Sequence, residues 1–567
     1  MLHTIPFRQK VTVMIAVMFG LFLAALDQTI IATALGRIVE EFNSFDSLSW
    51  VVTAYLITTT ITVPIAGKLS DIFGRRNMLM AGVALFTLAS FLSGSAQNIG
   101  ELIAARAFQG IGGGILTTSA FTIIGDLFTP RERGKWQGII GGVFGLSSVV
   151  GPLLGGFLTD PHKILNLTTN WRWTFWINVP VGIIAFIVIS IYTPNFKHEL
   201  KSRIDFVGAG LLALALTALI FACEDPSSIF SHVISDWHVS GGWIRAFFGV
   251  VAAAFGGLFI LAERRAQSPI LPLHMFKWPV FRLAMPIMLL FGAAFLGAIL
   301  YLTQFLQQVL GASPTDSGLM LMPMIFSLAI TSIIVGRIVS KLGRYKVIMI
   351  AGLVIATLGV FSLTFLDVHS TFWSVAWRMI VTGIGLGSSM PIFNLIVQNE
   401  APHNELGVAT SSVQLSRSLG STIGTAFLGG LLTAGVAAGL GSISSDAFVK
   451  GLEQNKAAFH QIAPSGTFDA NAALNLNTPQ IKDKVKAGIV KSIDASPAPA
   501  QVKKQLINKE VTQLNQFSDK VKKAFSDSLH TVFLWAASTM GLAILISFFV
   551  KELPLRDSSD KLAGMAA

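Results

Sequence analysis

Asp27 is the residue of this chain whose type and position most clearly allow chemistry. It lies in the apolar run "LAALDQTII" and is the only carboxylate well inside any of the predicted membrane spans described below. An ionised carboxylate at the centre of a bilayer costs on the order of 3 kcal/mol, so it faces a cavity or a partner. We therefore expect Asp27 to bind and release a proton. The alternative is a structural carboxylate that braces polar groups between helices.

Three arginines also lie in apolar stretches, at positions 106, 378 and 417. Arg417, within "SSVQLSRSLGSTIG", is well inside its stretch, and a buried cation there needs an anion or a water-filled route. The residues alone leave open whether Arg378 and Arg417 contact a ligand, relay protons or lock two parts of the protein together. Arg106 lies near the start of its stretch, where a side chain that extends outward to the membrane surface is the alternative to a buried role.

Several kinds of reaction have no residues to support them. "GIGGG" (110–114) and "GIGLG" (383–387) lack the GK[ST] ending that binds phosphate, so ATP hydrolysis is not expected. The sequence has one cysteine, Cys223, and neither a clustered His/Cys metal set nor a G-x-S-x-G motif. We therefore predict a non-enzyme with no metal and no cofactor, for which the proton gradient is the energy source.

The elements that must position these residues are membrane helices. The chain has 567 residues, of which 52% are hydrophobic and only 13% charged, and its mean hydropathy is +0.66. Because ~20 mostly apolar residues cross a bilayer as a helix, the sequence predicts an all-α polytopic membrane protein with about fourteen spans. These lie near 11–35, 48–68, 77–97, 101–125, 136–159, 173–193, 204–223, 242–262, 279–308, 314–337, 346–366, 371–398, 407–440 and 527–550.

Lys and Arg are concentrated in alternate short loops, which is typical of loops on the cytoplasmic side of a membrane. This pattern predicts a protein of the cytoplasmic (inner) membrane with both termini in the cytoplasm. The net charge of +11 is then a topology signal, and no nucleic-acid partner is expected.

The chain also contains an internal repeat. "GKLSDIFGRR" (67–76) and "GRIVSKLGRY" (336–345) align Gly67 with Gly336 and Arg75 with Arg344. Duplicated halves with a ligand site at their interface are typical of transporters, so we predict two six-helix bundles with two helices inserted between them. The predicted units are an N-terminal bundle (1–200), two inserted helices (201–265), the first five helices of a C-terminal bundle (266–440), an extracytoplasmic insertion (441–526), and the last helix with a cytoplasmic tail (527–567).

Four motifs resemble those of a known family. "GKLSDIFGRR" resembles the signature loop of the major facilitator superfamily between spans 2 and 3, and "ARAFQGIGGG" (105–114) resembles its span-4 motif. "GLSSVVGPLLGG" (145–156) is similar to the span-5 motif of the drug:proton antiporters. "LDQTIIATAL" (26–35) is similar to the span-1 motif of the fourteen-span exporters related to EmrB and QacA. The resemblance covers nearly the whole chain except 441–526.

This resemblance implies roles for four groups of residues. Arg106 would lie near Asp27 and take part with it in proton coupling. The group that holds the inner gate would be Gly67, Asp71, Gly74, Arg75 and Arg76. The span-5 helix would pack closely through Gly145, Gly151, Pro152, Gly155 and Gly156. Substrate would contact polar and aromatic side chains of the cavity-lining spans, namely Gln28, Tyr55, Phe108, Tyr301, Gln304, Phe305, Asn394 and Gln398.

The predicted function is proton-coupled efflux of lipophilic, cationic drugs or toxic compounds by alternating access. The expected partners are lipophilic or cationic small molecules, protons and membrane lipid. One alternative is export of a single native lipid or lipid-linked metabolite with help from residues 441–526, and another is a membrane sensor or assembly scaffold. Residues 441–526 include the helix-prone stretches 481–492 and 500–526, and topology predicts that they lie outside. The oligomeric state is left open.

Overall fold

The structure, a computed structural model, describes most of the chain. The described residues are 6–42, 48–159, 163–164, 167–193, 205–223, 240–267, 269–312, 314–402, 405–440, 447–454, 473–474, 476–477, 479–494 and 499–555. The chain ends that we expect in the cytoplasm, residues 1–5 and 556–567, lie outside this part. Within the described ranges the fold is helical, as predicted, apart from loops and one antiparallel pair of two-residue strands, Lys163–Ile164 (β1) and Leu167–Thr168 (β2).

The first half of the chain forms a bundle and is followed by two further helices. The bundle helices are α1 (Phe7–Phe42), α2 (Leu48–Phe73), α3 (Arg75–Ser95), α4 (Ile99–Leu127), α5 (Pro130–Thr159), α6 (Trp173–Trp176) and α7 (Asn178–Tyr192). The inserted helices are α8 (Phe206–Cys223) and α9 (Gly241–Arg265), which pack on each other, and α8 also contacts α2.

The second half begins with a 3-10 helix, Leu273–Lys277. Its bundle helices are α10 (Pro279–Gln308), α11 (Pro314–Met320), α12 (Met322–Leu342), α13 (Lys346–Leu363), α14 (Phe372–Glu400) and α15 (Leu406–Leu440), followed by α16 (Ala447–Gln454), α17 (Pro479–Asp494) and α18 (Ala500–Ser547). Among the described residues, 14 helices are long and apolar enough to cross a membrane, which confirms the predicted number. The last of them begins at Ala500 rather than near residue 527.

The helices that carry Arg106 and Arg378 begin at capped ends. At the start of α4 the Asn98 side chain accepts a hydrogen bond from the amide of Glu101 (2.9 Å). At the start of α14 the Thr371 hydroxyl accepts one from the amide of Ser374 (3.4 Å). Such caps satisfy amides that the end of a helix leaves without partners. They fix where each helix starts, and this places Arg106 about two turns inside α4.

Each bundle has its own apolar core. The core of the first bundle is built from helices between α1 and α7 and includes Phe86 and Phe121. The core of the second bundle is built from α10, from α12 to α15 and from α18, and it includes Phe291 and Phe393. The charged and polar residues described below lie either between these two cores or in small polar clusters inside a bundle.

The bundles meet along two seams, and the first runs between α5 and α12. A Cβ atom on Gly138 would overlap the main chain of Ser332, and one on Gly336 would overlap the main chain of Gly134. The two backbones are therefore in direct contact, which requires residues without side chains at these positions.

The second seam runs between α2 and α15. A Cβ atom on Gly67 would lie only 2.6 Å from Cβ of Ser411, so the helices touch there as well. This contact lies at the end of the molecule that carries the basic loops with Arg75 and Arg131, which we term the basic end. The opposite end, where α15 leads into residues 447–526, is termed the cap end.

A small helical cap lies at the cap end. The first part of α18, together with α16 and α17, surrounds an apolar cluster that includes Leu476, Leu514, Phe448 and Phe517. The last two rings stack with their centroids 5.7 Å apart. The two helix-prone stretches of the insertion, 481–492 and 500–526, are thus helical, and α18 continues from the cap into the membrane without a break.

Hydrogen bonds attach the cap to the second bundle. Asn477 Nδ2 donates to the main-chain oxygen of Gln308 at the end of α10 (2.8 Å), and the Ser518 hydroxyl donates to Asn477 Oδ1 (2.5 Å). Lys482 Nζ donates to the same hydroxyl (3.0 Å), and burial lowers the pKa of this ammonium group. The cap is therefore expected to move with the second bundle.

We predict that the cap can be removed without unfolding the bundles. The outer end of α15 lies against α18, because a Cβ atom on Gly439 would be 2.9 Å from Cβ of Ala524. A Gly/Ser linker of about ten residues in place of 441–522 should span this distance, with the thermal unfolding temperature in detergent changing by only a few degrees. As a control, Phe533→Ala removes a fully buried ring from α18 and should lower the thermal unfolding temperature more than removal of the cap does. A chain that fails to fold without the cap would contradict the prediction.

Candidate functional site

Asp27 and Arg106 form an ion pair in the interior of the first bundle. Asp27 lies on α1 and Arg106 on α4, and both residues are 0% exposed. The Arg106 guanidinium donates to Oδ2 of Asp27, while Oδ1 accepts hydrogen bonds from Gln109 Nε2 (2.8 Å) and Asn178 Nδ2 (3.3 Å). The two residues that the sequence links to proton coupling are therefore in direct contact, and their role in coupling stays a prediction.

Arg106 is held from several sides. Its Nε donates to the main-chain oxygen of Val51 (3.1 Å), and its Nη1 also donates to Gln109 Oε1 (2.7 Å). The guanidinium lies over the ring of Tyr55, 4.4 Å from the centroid, and the Tyr55 hydroxyl donates to the main-chain oxygen of Ala24 (3.3 Å). Arg106 thus points into the bundle, so the alternative of a side chain that extends to the membrane surface does not hold in this structure.

Sequence reasoning missed the amides around this pair. Gln109 lies three residues after Arg106 and so shares its face of α4. Asn178 begins α7, and both amides contact the hydroxyl of Ser90 (2.6 and 3.3 Å). The available signal was the presence of amide side chains inside apolar spans, but uncharged polar residues are common enough there that they do not stand out.

The arrangement links protonation of Asp27 to a rearrangement. Within the described part of the chain, every hydrogen-bonding partner of Asp27 is a donor. A proton on Asp27 would turn one accepting oxygen into a donor, and it would leave Arg106 without its counter-charge. The pair must therefore separate, or the amides must turn, when a proton binds.

A second charged cluster lies at the basic end. Arg75 forms ion pairs with Asp71 and with Asp126, both at 2.5 Å, and donates to the Ser70 hydroxyl (2.7 Å). Asp71 Oδ2 accepts a hydrogen bond from the main-chain amide of Val408 in the first turn of α15 (3.3 Å). A carboxylate is stabilised at the N-terminus of a helix, so this contact ties the first bundle to the second.

Asp126 was not predicted, because the predicted span ended one residue before it. The structure extends α4 to Leu127 and buries Asp126 to 1% exposure. The glycines of this loop act as the motif suggests: Gly74 has φ of 89°, and its counterpart Gly343 has φ of 67°. Arg76 donates to the main-chain oxygen of Ser190 on α7 and so stays within its own bundle.

A set of hydrogen bonds that involves no carboxylate joins the two bundles at the same end. Arg133 Nη1 donates to the main-chain oxygen of Gln398 (3.0 Å), and Gln137 Nε2 donates to its side-chain oxygen (2.9 Å). Gln398 Nε2 in turn donates to the main-chain oxygen of Phe121 and to the Thr410 hydroxyl, both at 3.0 Å. Gln398, which we expected to line a substrate cavity, lies in the sealed contact between the bundles.

The aromatic residues expected in a substrate cavity are mostly packed. Tyr301 and Phe305 lie in the core of the second bundle, and the Tyr301 hydroxyl donates to the main-chain oxygen of Thr425 (2.7 Å). Tyr55 lies under Arg106 and is also buried. In the described state these rings support the helices that surround the site instead of facing open space.

Phe108, Gln28 and Gln304 retain accessible surface. Phe108 is 55% exposed, and it shares a face of α4 with Ile111 and Ile115, which pack towards α2 and α3. Gln28 is exposed and Gln304 is half-buried. All three therefore remain candidates for contact with a substrate.

Arg378 and Arg417 have different surroundings. Arg378 donates to the main-chain oxygens of Ser362 (3.0 Å) and Ser374 (2.6 Å), and thus ties α13 to α14 near the cap end. Arg417 Nε donates to Gln414 Oε1 (3.1 Å), and Gln414 Nε2 donates to Oδ1 of Asn394 (3.3 Å). Arg378 is bound by carbonyl groups, whereas Arg417 is held through one nitrogen.

The glycines of the span-5 motif pack against both bundles. A Cβ atom on Gly145 would lie 3.1 Å from Cβ of Ala329 on α12, and one on Gly151 would overlap the Thr29 hydroxyl on α1. Gly155 and Gly156 continue the same helix. The side chain of Pro152 lies outside the described part of the chain.

A fold of two six-helix bundles with two inserted helices and a buried charge pair is that of a membrane transporter, and the sequence comparison agrees. The Major Facilitator Superfamily matches residues 17–425. The chain therefore belongs to this superfamily, as its motifs predicted.

Two relatives from Bacillus subtilis (strain 168) illustrate the likeness. The multidrug transporter protein MdtP is 34% identical over 538 residues, which is 94% of this chain and 92% of that protein. Multidrug resistance protein 3 is 36% identical over 422 residues, which is 74% of this chain and 79% of that protein.

Solved structures show the same fold. The human organic anion transporter MFSD10 superposes with a TM-score of 0.57 at 15% identity, covering 75% of this chain and 93% of that one. The proton:xylose symporter XylE superposes with a TM-score of 0.54 at 15% identity, covering 83% of this chain and 95% of that one. At this level of identity the likeness extends to the fold alone.

We predict that Asp27 and Arg106 are strongly coupled in stability. Asp27→Leu or Arg106→Met alone leaves an unpaired charge in the bundle and should lower the free energy of unfolding by about 3–5 kcal/mol. The double variant removes both charges and should cost less than the sum of the two single variants. Thermal unfolding in one detergent measures all three. Glu405→Gln is the control, because it alters only the exposed contact between His274 and Glu405 and should change little. Additive single effects would contradict the prediction.

Proposed function

We propose that this protein exports lipophilic small molecules across the cytoplasmic membrane in exchange for protons. The observation that carries the proposal is the buried Asp27–Arg106 pair, a titratable carboxylate with its counter-charge inside a transporter bundle. The relatives named multidrug transporter and multidrug resistance protein support efflux of drug-like compounds. The basic loops support an orientation with the basic end in the cytoplasm.

The contacts between the bundles support a state that is closed towards the cytoplasm. Asp71 joins α15 at the basic end, and Gln137 contacts Gln398 nearby. If the basic end is cytoplasmic, these contacts separate the interior of the transporter from the cell. Alternating access then requires that they break, and that the bundles rotate along the close α5–α12 seam.

Coupling follows from the charge pair. In the proposed cycle, substrate binds from the cytoplasm or the inner leaflet while Asp27 is ionised and paired with Arg106. After the change to the outward state, a proton from outside binds Asp27, separates the pair and weakens substrate binding. Substrate and proton need not touch, because it is enough that each favours a different state, and the effect of one on the other is reciprocal.

The expected preference for cationic substrates depends on access to Asp27, because an open carboxylate attracts cations. In the described state Asp27 has no exposed surface and is enclosed by Arg106 and two amides. A preference for cations would therefore require a state in which this pair has opened.

Uptake into inside-out vesicles under an imposed pH gradient tests the proposal. We expect gradient-driven uptake of a fluorescent lipophilic probe by the wild type. Asp27→Asn should reduce it to about a tenth or less at equal expression, because the carboxylate can no longer exchange a proton. The matched control is Asp367→Asn, the same change at an exposed loop carboxylate outside the membrane spans, which should transport normally.

Each other outcome has a definite meaning. Equal gradient-driven uptake by wild type and Asp27→Asn would remove Asp27 from the coupling mechanism. Absence of uptake for a broad panel of lipophilic probes would refute drug efflux and favour the narrow alternative, export of one native lipid or lipid-linked metabolite. In that case the chain without residues 441–522 should fold and lose export of that compound.

A further inference from the structure

Arg417 differs from the other buried arginines, because among the described residues neither a carboxylate nor a main-chain carbonyl group binds it, whereas carbonyl groups bind Arg133. Arg75 and Arg106 each form an ion pair with a carboxylate. Within the described residues, Arg417 has no ion pair, and its one side-chain hydrogen bond is that from Nε to Gln414 Oε1 (3.1 Å). An unbalanced cation in a membrane interior costs several kcal/mol. A residue of this kind is therefore expected to meet an anion other than the carboxylates of the described residues.

The position of Arg417 suits contact with a ligand. It lies on α15 six residues (417 minus 411) beyond Ser411, where α15 is sealed against Gly67. This is about 9 Å along the helix from the seal towards the cap end. The side chain is half-buried, so part of it is accessible. Arg417 thus lies just above the closed basic end, at the level where an outward-facing cavity would have its floor.

The surroundings of Arg417 fix its orientation. Asn394 and Gln414 are both 1% exposed and form a chain of hydrogen bonds that ends at Nε of Arg417. The main chain at Arg417 lies directly against Gly292 of α10. Nε is already used, and no described residue accepts a hydrogen bond from the two terminal nitrogens, so these remain for a ligand. A planar pair of N–H groups matches the two oxygens of a carboxylate.

Apolar surface lies close to this cation. Phe295, which is half-buried and stacks on Phe291 with centroids 5.7 Å apart, lies one turn along α10 from Gly292. A ligand that reaches Arg417 can therefore place an apolar or aromatic body beside α10. On the first bundle, Asp27 is enclosed and cannot offer its charge to a ligand in the same state. Of Asp27 and Arg417, the charge that remains accessible is the positive one.

We infer that Arg417 binds substrate, and that the transported compounds are lipophilic molecules that carry a carboxylate. The carboxylate oxygens would accept hydrogen bonds from the two terminal nitrogens of Arg417, and the apolar body would pack near Phe295. This inference rests on the proposed export function and adds to it the chemical class of the substrate.

Equilibrium binding without any gradient tests this inference separately from proton coupling. Three probes share one pyrene body: pyrenebutyrate is an anion, pyrenebutanamide is neutral, and pyrenebutyl-trimethylammonium is a cation. Energy transfer from the 11 tryptophans to pyrene reports binding to the protein in detergent. We expect the wild type to bind the carboxylate about tenfold more tightly than the amide, because hydrogen bonds to an ionised group are the stronger ones, and to bind the cation least.

Variants of Arg417 then identify the group responsible. Arg417→Gln should bind the carboxylate and the amide with equal affinity, and Arg417→Lys, which keeps the charge but not the planar pair of donors, should retain part of the preference. Arg378→Gln is the matched control, since that arginine is bound by carbonyl groups, and it should keep the wild-type order. Thermal unfolding of each variant shows whether it has folded.

Several results would overturn the inference. These are a wild type that binds the amide or the cation as tightly as the carboxylate, an Arg417→Gln variant that keeps the preference, and an equal loss of all three probes in that variant while it is folded. The last result would assign Arg417 a structural role. If Arg417→Gln does not fold, the wild-type order and Arg417→Lys decide. Failure of gradient-driven uptake would count against the proposed function alone, because binding is measured here without a gradient.

Discussion

The balance of charge inside a medium of low dielectric constant is the constraint on which the rest of this structure depends. Asp27 and Arg106 can both be buried only because each neutralises the other, and removal of either charge leaves the other one unpaired. Val51 and Tyr55 of α2 contact Arg106, and Asn178 of α7 contacts Asp27. Four helices of the first bundle therefore meet at the pair. A proton on Asp27 would therefore disturb contacts of four helices at once.

The same constraint explains the asymmetry of the two halves. At the basic end of the first half, Arg75 lies between Asp71 and Asp126. The second half has Ser340 where the first has Asp71, and its main-chain oxygen accepts a hydrogen bond from Arg131 (2.9 Å). The first half contains balanced pairs that can respond to protons, whereas the second half contains the cation that we assign to substrate. Under the proposed function, the two halves would in this way divide proton coupling and substrate binding between them.

The sequence predicted the spans because long apolar runs are strong local signals, and its motifs predicted the family. The closeness of Asp27 and Arg106 was implied by the resemblance of the span-4 motif to that family. The sequence did not predict that the helix-prone stretch 500–526 and the last span form one continuous helix, α18, since the lysine-rich stretch before residue 527 has no apolar run to mark it as part of a span. Gln109, Asn178 and Asp126 were missed because their importance depends on which helices are neighbours. The position of Gln398 in the seal depends in turn on how the two bundles contact each other, and no spacing within one helix contains that information.

Proton release on substrate binding tests most directly whether the Asp27 pair couples the two ligands. Pyrenebutanamide, which has no titratable group in the neutral range, is added to detergent-solubilised protein in weakly buffered solution with a pH-indicating dye. The account predicts a proton release that saturates with the probe in the wild type and is absent in Asp27→Asn, although that variant still binds the probe. Equal release by both proteins, or binding by the wild type without release at any pH at which the protein is folded, would contradict the coupling of substrate and proton through Asp27.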